Sequence, residues 1–335
     1  RNATYRHLIW EAGKASFDSV PSVKPRDLEG LVVGSVMPER TAFQSHISSL
    51  AAEALGITPS ALSARTEHMC ASGTVGIRYA YAFIAAGLAD LVMVLGVEKL
   101  NQPVADEAIL NMGTGVDRDW EACYGLTAPP CFALAAQKHM AQYGTTEEQL
   151  GLVGVKNHAH ASKNPNAHFQ KGVTLEQVMG SRMIASPLRL FMCSPITDGA
   201  AAVILASEER ARDLTDRPVW IRGTGQALDG FTLTSLHEDY AHWPAMKRAS
   251  QSAYRMASIG PADVDLAEVH DCFAIAEIIA YEELGFCEKG EGGHFVATGR
   301  SDYGGDVVVN PRGGLMGCGH PLGATGVAQA AEVYA

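Results

Sequence analysis

The sequence predicts an α/β fold in which buried parallel strands carry helices on both faces. Two observations predict it. Short apolar runs of strand length alternate with helical segments over most of the chain. The two halves also echo each other, each placing a reactive residue in a small-residue turn that opens a helix: "CASGTVG" at 70–76 and "GHPLGATGVAQAAEVYA" at 319–335.

Taken in order, "GLVVGSV" (30–36) reads as a buried strand and "QSHISSLAAEALG" (44–56) as a helix stopped by glycine. A helix over about 72–86 follows, and then the strand "LVMVLG" (91–96). Residues 98–192 are richer in Asn, His, Pro and Lys and show one clear helix, "PPCFALAAQKHMAQYG" (129–144); they read as an excursion from the core. Alternation resumes with strands at 199–207 ("GAAAVILAS") and 218–225 ("PVWIRGTG") and a helix near 244–257. A strand at 264–270 ("VDLAEVH") and a helix at 273–285 ("FAIAEIIAYEELG") complete it.

The 335 residues suffice for two domains or one duplicated unit, and 47% hydrophobic against 19% charged residues marks a globular chain. A net charge of -11 argues against a nucleic-acid partner, which needs clustered Lys and Arg. The seven cysteines form no C-x-x-C pair, which points away from a disulfide framework or zinc site and towards a reducing compartment. No apolar run reaches bilayer length, and the first residues, which lack a Met, show no signal peptide.

Three places carry candidate chemistry. Cys70 falls where a strand ends and a helix begins. The helix dipole and free backbone N–H groups there favour a thiolate, and Ala71, Ser72 and Gly73 leave room for a substrate. The plainer reading is a small buried core cysteine. "NPRGGLMGCGHPLGATG" (310–326) holds six glycines in seventeen residues and clamps His320 between Gly319 and Pro321, which suits a general base or an oxyanion donor. It lacks the Lys-Ser/Thr of a P-loop. "EVHDCFAIAE" (268–277) puts His270, Asp271 and Cys272 at a strand C-terminus, where open α/β sheets hold their ligand crevice. Asp271 reads there as a helix N-cap, and Cys318 as a small turn residue. Two Cys and two His at strand-to-helix turns indicate a cysteine acyltransferase or hydrolase.

"CASG" (70–73), "SPITDGAAAVIL" (194–205) and "GHPLGATG" (319–326) resemble the motifs of the thiolases. The His-Asp-Cys-Phe at 270–273, with "YGLTAPPCFALAAQKHMAQYG" and "KNHAHASKNPNAHFQKGVTLEQVM", resembles the sterol carrier protein-type thiolases. The resemblance implies a five-layered α/β/α/β/α fold of two similar halves with an inserted loop domain. Residues 1–97 and 193–217 would form the first half, 98–192 the loop domain that binds CoA, and 218–335 the second half without its last strands. It implies a coenzyme A thioester substrate with no tightly bound cofactor and no metal. It implies a homodimer or homotetramer, with room for a synthase or OB-fold partner protein, in the cytoplasm or, in a eukaryote, the peroxisome. Among the residues, Cys70 would take the acyl group, and His320 would take its proton, help bind the thioester oxygen and share the enolate oxyanion site with His270. His270 would stand where most thiolases have the Asn that positions an oxyanion-hole water. Ser194, Tyr124, Phe273 and Gly319 would contact substrate or CoA. Most thiolases carry a second cysteine in a C-terminal Cys-x-Gly motif; this sequence, which reaches Ala335, shows none, and Cys272 is expected to act as acid/base instead. Two alternatives stay open: a thiolase-fold subunit of an acyltransferase complex serving a non-CoA acceptor, and a non-catalytic acyl-CoA or lipid binder or retro-aldolase relative.

Overall fold

The computed structural model describes residues 3–101, 110–230, 232–233 and 239–334. In chain order the main elements begin with α1 (Tyr5–Ser19), β1 (Gly30–Gly34), α2 (Ile47–Leu55), β2 (Leu62–Thr66), α3 (Ser72–Ala85) and β3 (Leu91–Glu98). They continue with α4 (Ala128–Tyr143), α5 (Glu147–Ala161), β4 (Gly199–Ala206), α6 (Pro244–Ala257), β5 (Leu266–Ala267) and α7 (Ala274–Glu283). The last are β6 (Val308–Val309), α8 (Gly314–Cys318) and α9 (Leu322–Tyr334). The chain divides into two compact units. One comprises the described residues through Asn111, Ile196–Trp220 and those from His320 on; the other comprises Met112–Pro195 and Ile221–Gly319.

The first unit is built on a four-stranded sheet of order β2-β1-β3-β4. Alternation along the strands sends Leu31, Val33, Met93, Leu95 and Val97 to one face, against Tyr5 and Ile9 of α1 and Ile47 and Ala51 of α2. Val32, Val92 and Val94 go to the other face, against Ala80 of α3 and Val327 of α9. Both faces are therefore dry, and each such fully buried aliphatic side chain contributes about 1.5–3 kcal/mol. β1 pairs in parallel with β2 and β3, as expected, but β4 runs antiparallel to β3. The register explains this: Glu98, the last residue of β3, lies opposite Gly199, the first of β4. The roughly one hundred residues between leave and re-enter at a single corner of the sheet. Asp198 pins that corner by accepting from the backbone N–H of Leu100 and Asn101, each at 2.8 Å, and by pairing with Lys99 at 3.2 Å.

The second unit packs α4, α5 and α7 around an apolar cluster that includes Leu150, Val153, Ile275, Ile278, Ile279 and Phe295. Its described strands are short: β5 pairs in parallel with β6, and Met183–Ala185 pairs with Leu188–Arg189. The strand expected over 264–270 shrinks to Leu266–Ala267, and the one expected over 218–225 is absent among the described residues. An apolar run becomes a strand only when a neighbour accepts its hydrogen bonds; Val219, Trp220 and Ile221 remain 58%, 43% and 40% exposed. α5 was not expected, because its glycines and histidines mask the apolar period. Thr146 and Gln149 nonetheless form a capping box at its start. Gly151 and Gly154 are required by packing: a Cβ on Gly154 would meet the Phe191 carbonyl oxygen at 2.5 Å.

Candidate active site

In the first unit, backbone contact between glycines brings α3 and α9 onto the sheet. A Cβ on Gly73 would lie 2.7 Å from the Gly323 oxygen, and one on Gly323 would lie 2.6 Å from the Gly34 oxygen. A Cβ on Gly96 would meet both the Gly323 oxygen and the Ala324 Cα at 2.5 Å. Only hydrogen at these positions lets the first turns of both helices converge on the C-terminal ends of β1 and β3. The residues just ahead of those two helices are Cys70 and His320.

The β2–α3 turn is tight. Met69 is held at φ 44, a left-handed conformation costly for a side chain of its size. Buried Ser72 locks the turn by accepting from the His68 N–H at 2.8 Å and donating to the Met69 carbonyl at 2.6 Å. The half-buried Cys70 sulfur lies 3.1 Å from Nε2 of buried His320, whose Nδ1 lies 2.7 Å from the Thr325 hydroxyl one turn into α9. With Nδ1–H donated to Thr325, the Nε2 lone pair faces the thiol.

Cys70 stands two residues before the first helical residue, Ser72, and its thiol is not the thiolate the sequence suggests. Burial, followed by the charge of Glu98, pushes it up to about 12 against the opposing pull of its own backbone N–H. Activation therefore falls to His320. Glu98 is fully buried at the end of β3. It accepts from the Val36 N–H at 2.7 Å, the Tyr5 hydroxyl at 3.0 Å and the Gly323 N–H at 3.2 Å, and burial raises its own carboxyl above the usual range.

The second unit holds the other candidates. His270 is half-buried, and desolvation pushes its imidazole down to about 4, so it is neutral at physiological pH. Cys272 is 5% exposed, and its carbonyl accepts from the Ser194 N–H at 2.8 Å. Phe273 bridges Cys193 across an antiparallel step and stacks on Phe132 with ring centroids 4.6 Å apart. Tyr124 ends a short turn and is 81% exposed. Gly319, at φ 100, ends α8 and turns the chain into His320. All seven cysteines carry free thiols.

Asp271 does not cap α7, whose N-cap is Phe273 with no side-chain cap. It instead accepts from the N–H groups of Leu315 and Met316, at 2.7 and 3.2 Å, and so caps α8, a helix distant in sequence. Glu98, Thr325, Asn157 and Glu277 were not anticipated by sequence reasoning. For Glu98 and Glu277 the one signal is a lone acid in an apolar element, in "LVMVLGVE" and "FAIAEIIAY".

Two family descriptions match the chain: the thiolase N-terminal domain over residues 1–209 and the thiolase C-terminal domain-like family over 225–335. An acetyl-CoA acetyltransferase of Methanothermobacter thermautotrophicus is 46% identical over 99% of this chain and 85% of its own length. Sterol carrier protein 2 of Bos taurus is 35% identical over 99% of this chain and 62% of its own length. Among solved structures, an Ltp2–ChsH2(DUF35) aldolase superposes with a TM-score of 0.84 at 30% identity, over 99% of this chain and 85% of that one. With both family descriptions matched along nearly its whole length, a dyad of thiol and imidazole at the expected motifs, and these relatives, the chain belongs to the thiolase family.

Proposed function

We propose that this thiolase-family acyltransferase makes or cleaves 3-ketoacyl-CoA, with coenzyme A thioesters as substrates and no tightly bound cofactor. The observation that carries the reading is the 3.1 Å approach of Cys70 Sγ to His320 Nε2. As the sulfur attacks the thioester carbonyl, its proton passes to Nε2. The tetrahedral adduct then expels CoA thiolate, which takes that proton and leaves the acyl group on Cys70. Burial that raises the thiol favours such concerted transfer to the imidazole over a preformed thiolate.

The second half-reaction is assigned to the turn carrying His270 and Cys272. Cys272, acting as its thiolate, takes a proton from the methyl of an acetyl thioester and returns it to the Cys70 sulfur released when the enolate attacks the acyl carbon. His270, neutral because buried, serves the enolate oxygen, directly or through water. The enolate displaces Cys70 from its thioester and gives 3-ketoacyl-CoA; thiolysis is the reverse. Ser194, Tyr124, Phe273 and Gly319 are assigned to substrate and CoA, and residues 98–192 to a CoA-binding loop domain. A homodimer or homotetramer in the cytoplasm completes the reading. No helix among the described residues is long and apolar enough to cross a membrane.

A second reading has its own support. The similar aldolase is named together with a DUF35 protein, which favours a partner for this chain and admits carbon–carbon cleavage without an acyl-enzyme. A retro-aldolase needs no acyl-accepting thiol. Incubation with a panel of acyl-CoAs, followed by intact mass, separates the two: an acyl adduct supports the thiolase, and its absence across the panel favours the aldolase.

A further inference from the structure

Between α5, α7 and α8 the second unit buries a polar chain that the reaction steps above do not use. Lys156 Nζ pairs with Glu277 at 2.9 Å and donates to the Asn157 side-chain oxygen at 2.6 Å and the Val309 carbonyl at 2.8 Å. The Asn157 amide donates to Glu277 at 2.7 Å and to Asp271 Oδ2 at 2.8 Å, joining the two acids. Asn310 donates to Glu277 at 2.7 Å and, through its side-chain oxygen, accepts from the Val269 N–H at 2.9 Å. Tyr281 also donates to Glu277. Asn157, Asp271, Glu277, Tyr281 and Asn310 are all fully buried, and Lys156 nearly so.

Stability is weak grounds for keeping such a chain, since buried ion pairs replaced by well-packed apolar groups often leave a fold as stable or more so. Its geometry offers another account. Both ends close on the residues flanking His270: Asn310 holds the N–H of Val269, and Asp271 is anchored by Asn157 and by two N–H groups of α8. Asp271 also separates His270 from Cys272. Gly314 leaves the space this needs, because a Cβ there would sit 2.2 Å from Asp271 Oδ2.

We propose that the Lys156–Glu277–Asn157–Asp271 chain positions the His270 and Cys272 turn for the second half-reaction. This rests on the thiolase reading above. The hydrogen bonds of the Asp271 carboxylate go to Asn157 and to α8, so it acts as a positioning residue that fixes where the flanking imidazole and thiol point. An acid anchored by three donors holds the backbone more narrowly than apolar packing does, and a displacement near 1 Å at a reacting group costs about 100-fold in rate. Burial, and then the nearby Glu277, raise the Asp271 carboxyl, while the α8 N–H groups and Lys156 oppose that rise.

The test uses the full chain with Asp271→Asn and Glu277→Gln, which keep side-chain size. Acyl adduct on Cys70 is read by intact mass, and exchange of acetyl-CoA methyl protons with deuterium is read by NMR. The expected result is adduct formation at the parent rate, exchange kcat lower by about 100-fold, and little change in KM. Asp271→Glu should fail to restore exchange, because it keeps the carboxyl but is one methylene too long for a site with no spare room beside Gly314. Exchange at the parent rate in both isosteric variants overturns the proposal. So does an equal loss of acylation and exchange, the mark of a merely structural role. If Asp271→Asn does not fold, Glu277→Gln decides. A parent protein that forms no adduct on Cys70 overturns the thiolase reading instead, and the positioning role with it.

Discussion

Cys70 and Cys272 look alike in sequence, each a cysteine at a strand-to-helix turn, yet the structure gives them opposite surroundings. Cys70 follows a residue at φ 44, is partly open, and faces an imidazole at 3.1 Å. Cys272 is 5% exposed in an apolar cluster, with its backbone tied to Ser194 and its neighbour Phe273 stacked on Phe132. A thiol that must accept and release an acyl group needs an open face and a proton acceptor. A thiol that moves only a proton can sit in a dry site and depends on being aimed. Strain and a partner histidine mark Cys70; a hydrogen bond from Ser194 to its carbonyl and an apolar packing shell mark Cys272.

The sharpest break of this comparison is loss of the nucleophile. Cys70→Ala should abolish the acyl adduct and lower turnover by at least about four orders of magnitude, whereas Cys318→Ala should keep the adduct. An adduct on Cys70→Ala protein ends the assignment. Next comes Cys272→Ser, which should still acylate Cys70 while methyl deuterium exchange falls by about 100- to 10,000-fold, the usual worth of a positioned base. Exchange at the parent rate would pass the role to another residue.

A smaller effect tests the glycine contacts beneath Cys70 and His320. Gly323→Ala places a Cβ 2.6 Å from the Gly34 oxygen and 2.7 Å from the Ser35 Cα, so backbone must shift. We expect a loss of about 1–3 kcal/mol in denaturant unfolding together with slower acylation; unchanged stability would mean the helices can separate freely. The smallest effect concerns charge. Because the Cys70 thiol stands near 12, its alkylation by iodoacetamide at pH 8 should be slow and should climb with pH towards that value, since the thiolate fraction grows as protons are removed. Glu98→Gln removes the nearby charge that helps hold the thiol protonated, so its alkylation at fixed pH should quicken several-fold. A profile with a midpoint at the ordinary thiol value of about 8.5 contradicts the burial argument.

The sequence by itself determined that strands and helices alternate, that Cys70 and His320 sit in special turns, and that the chain resembles the thiolases. Those features are local: apolar period, glycine density and a motif eight residues long are all written in consecutive positions. The helix over Pro244–Ala257 was likewise legible from its own stretch. What depends on partners was not. Whether "PVWIRGTG" becomes a strand is decided by a neighbour that its own residues do not contain. The antiparallel direction of β4 follows from Glu98 meeting Gly199, a hundred residues away. Asp271 caps α8 and not the helix beside it because the N–H groups of Leu315 and Met316 arrive from forty-odd positions downstream. The protonation of Cys70 depends on packing in the same way. The helix start is local and favours a thiolate, whereas desolvation and the charge of Glu98, which push the thiol up, come from packing.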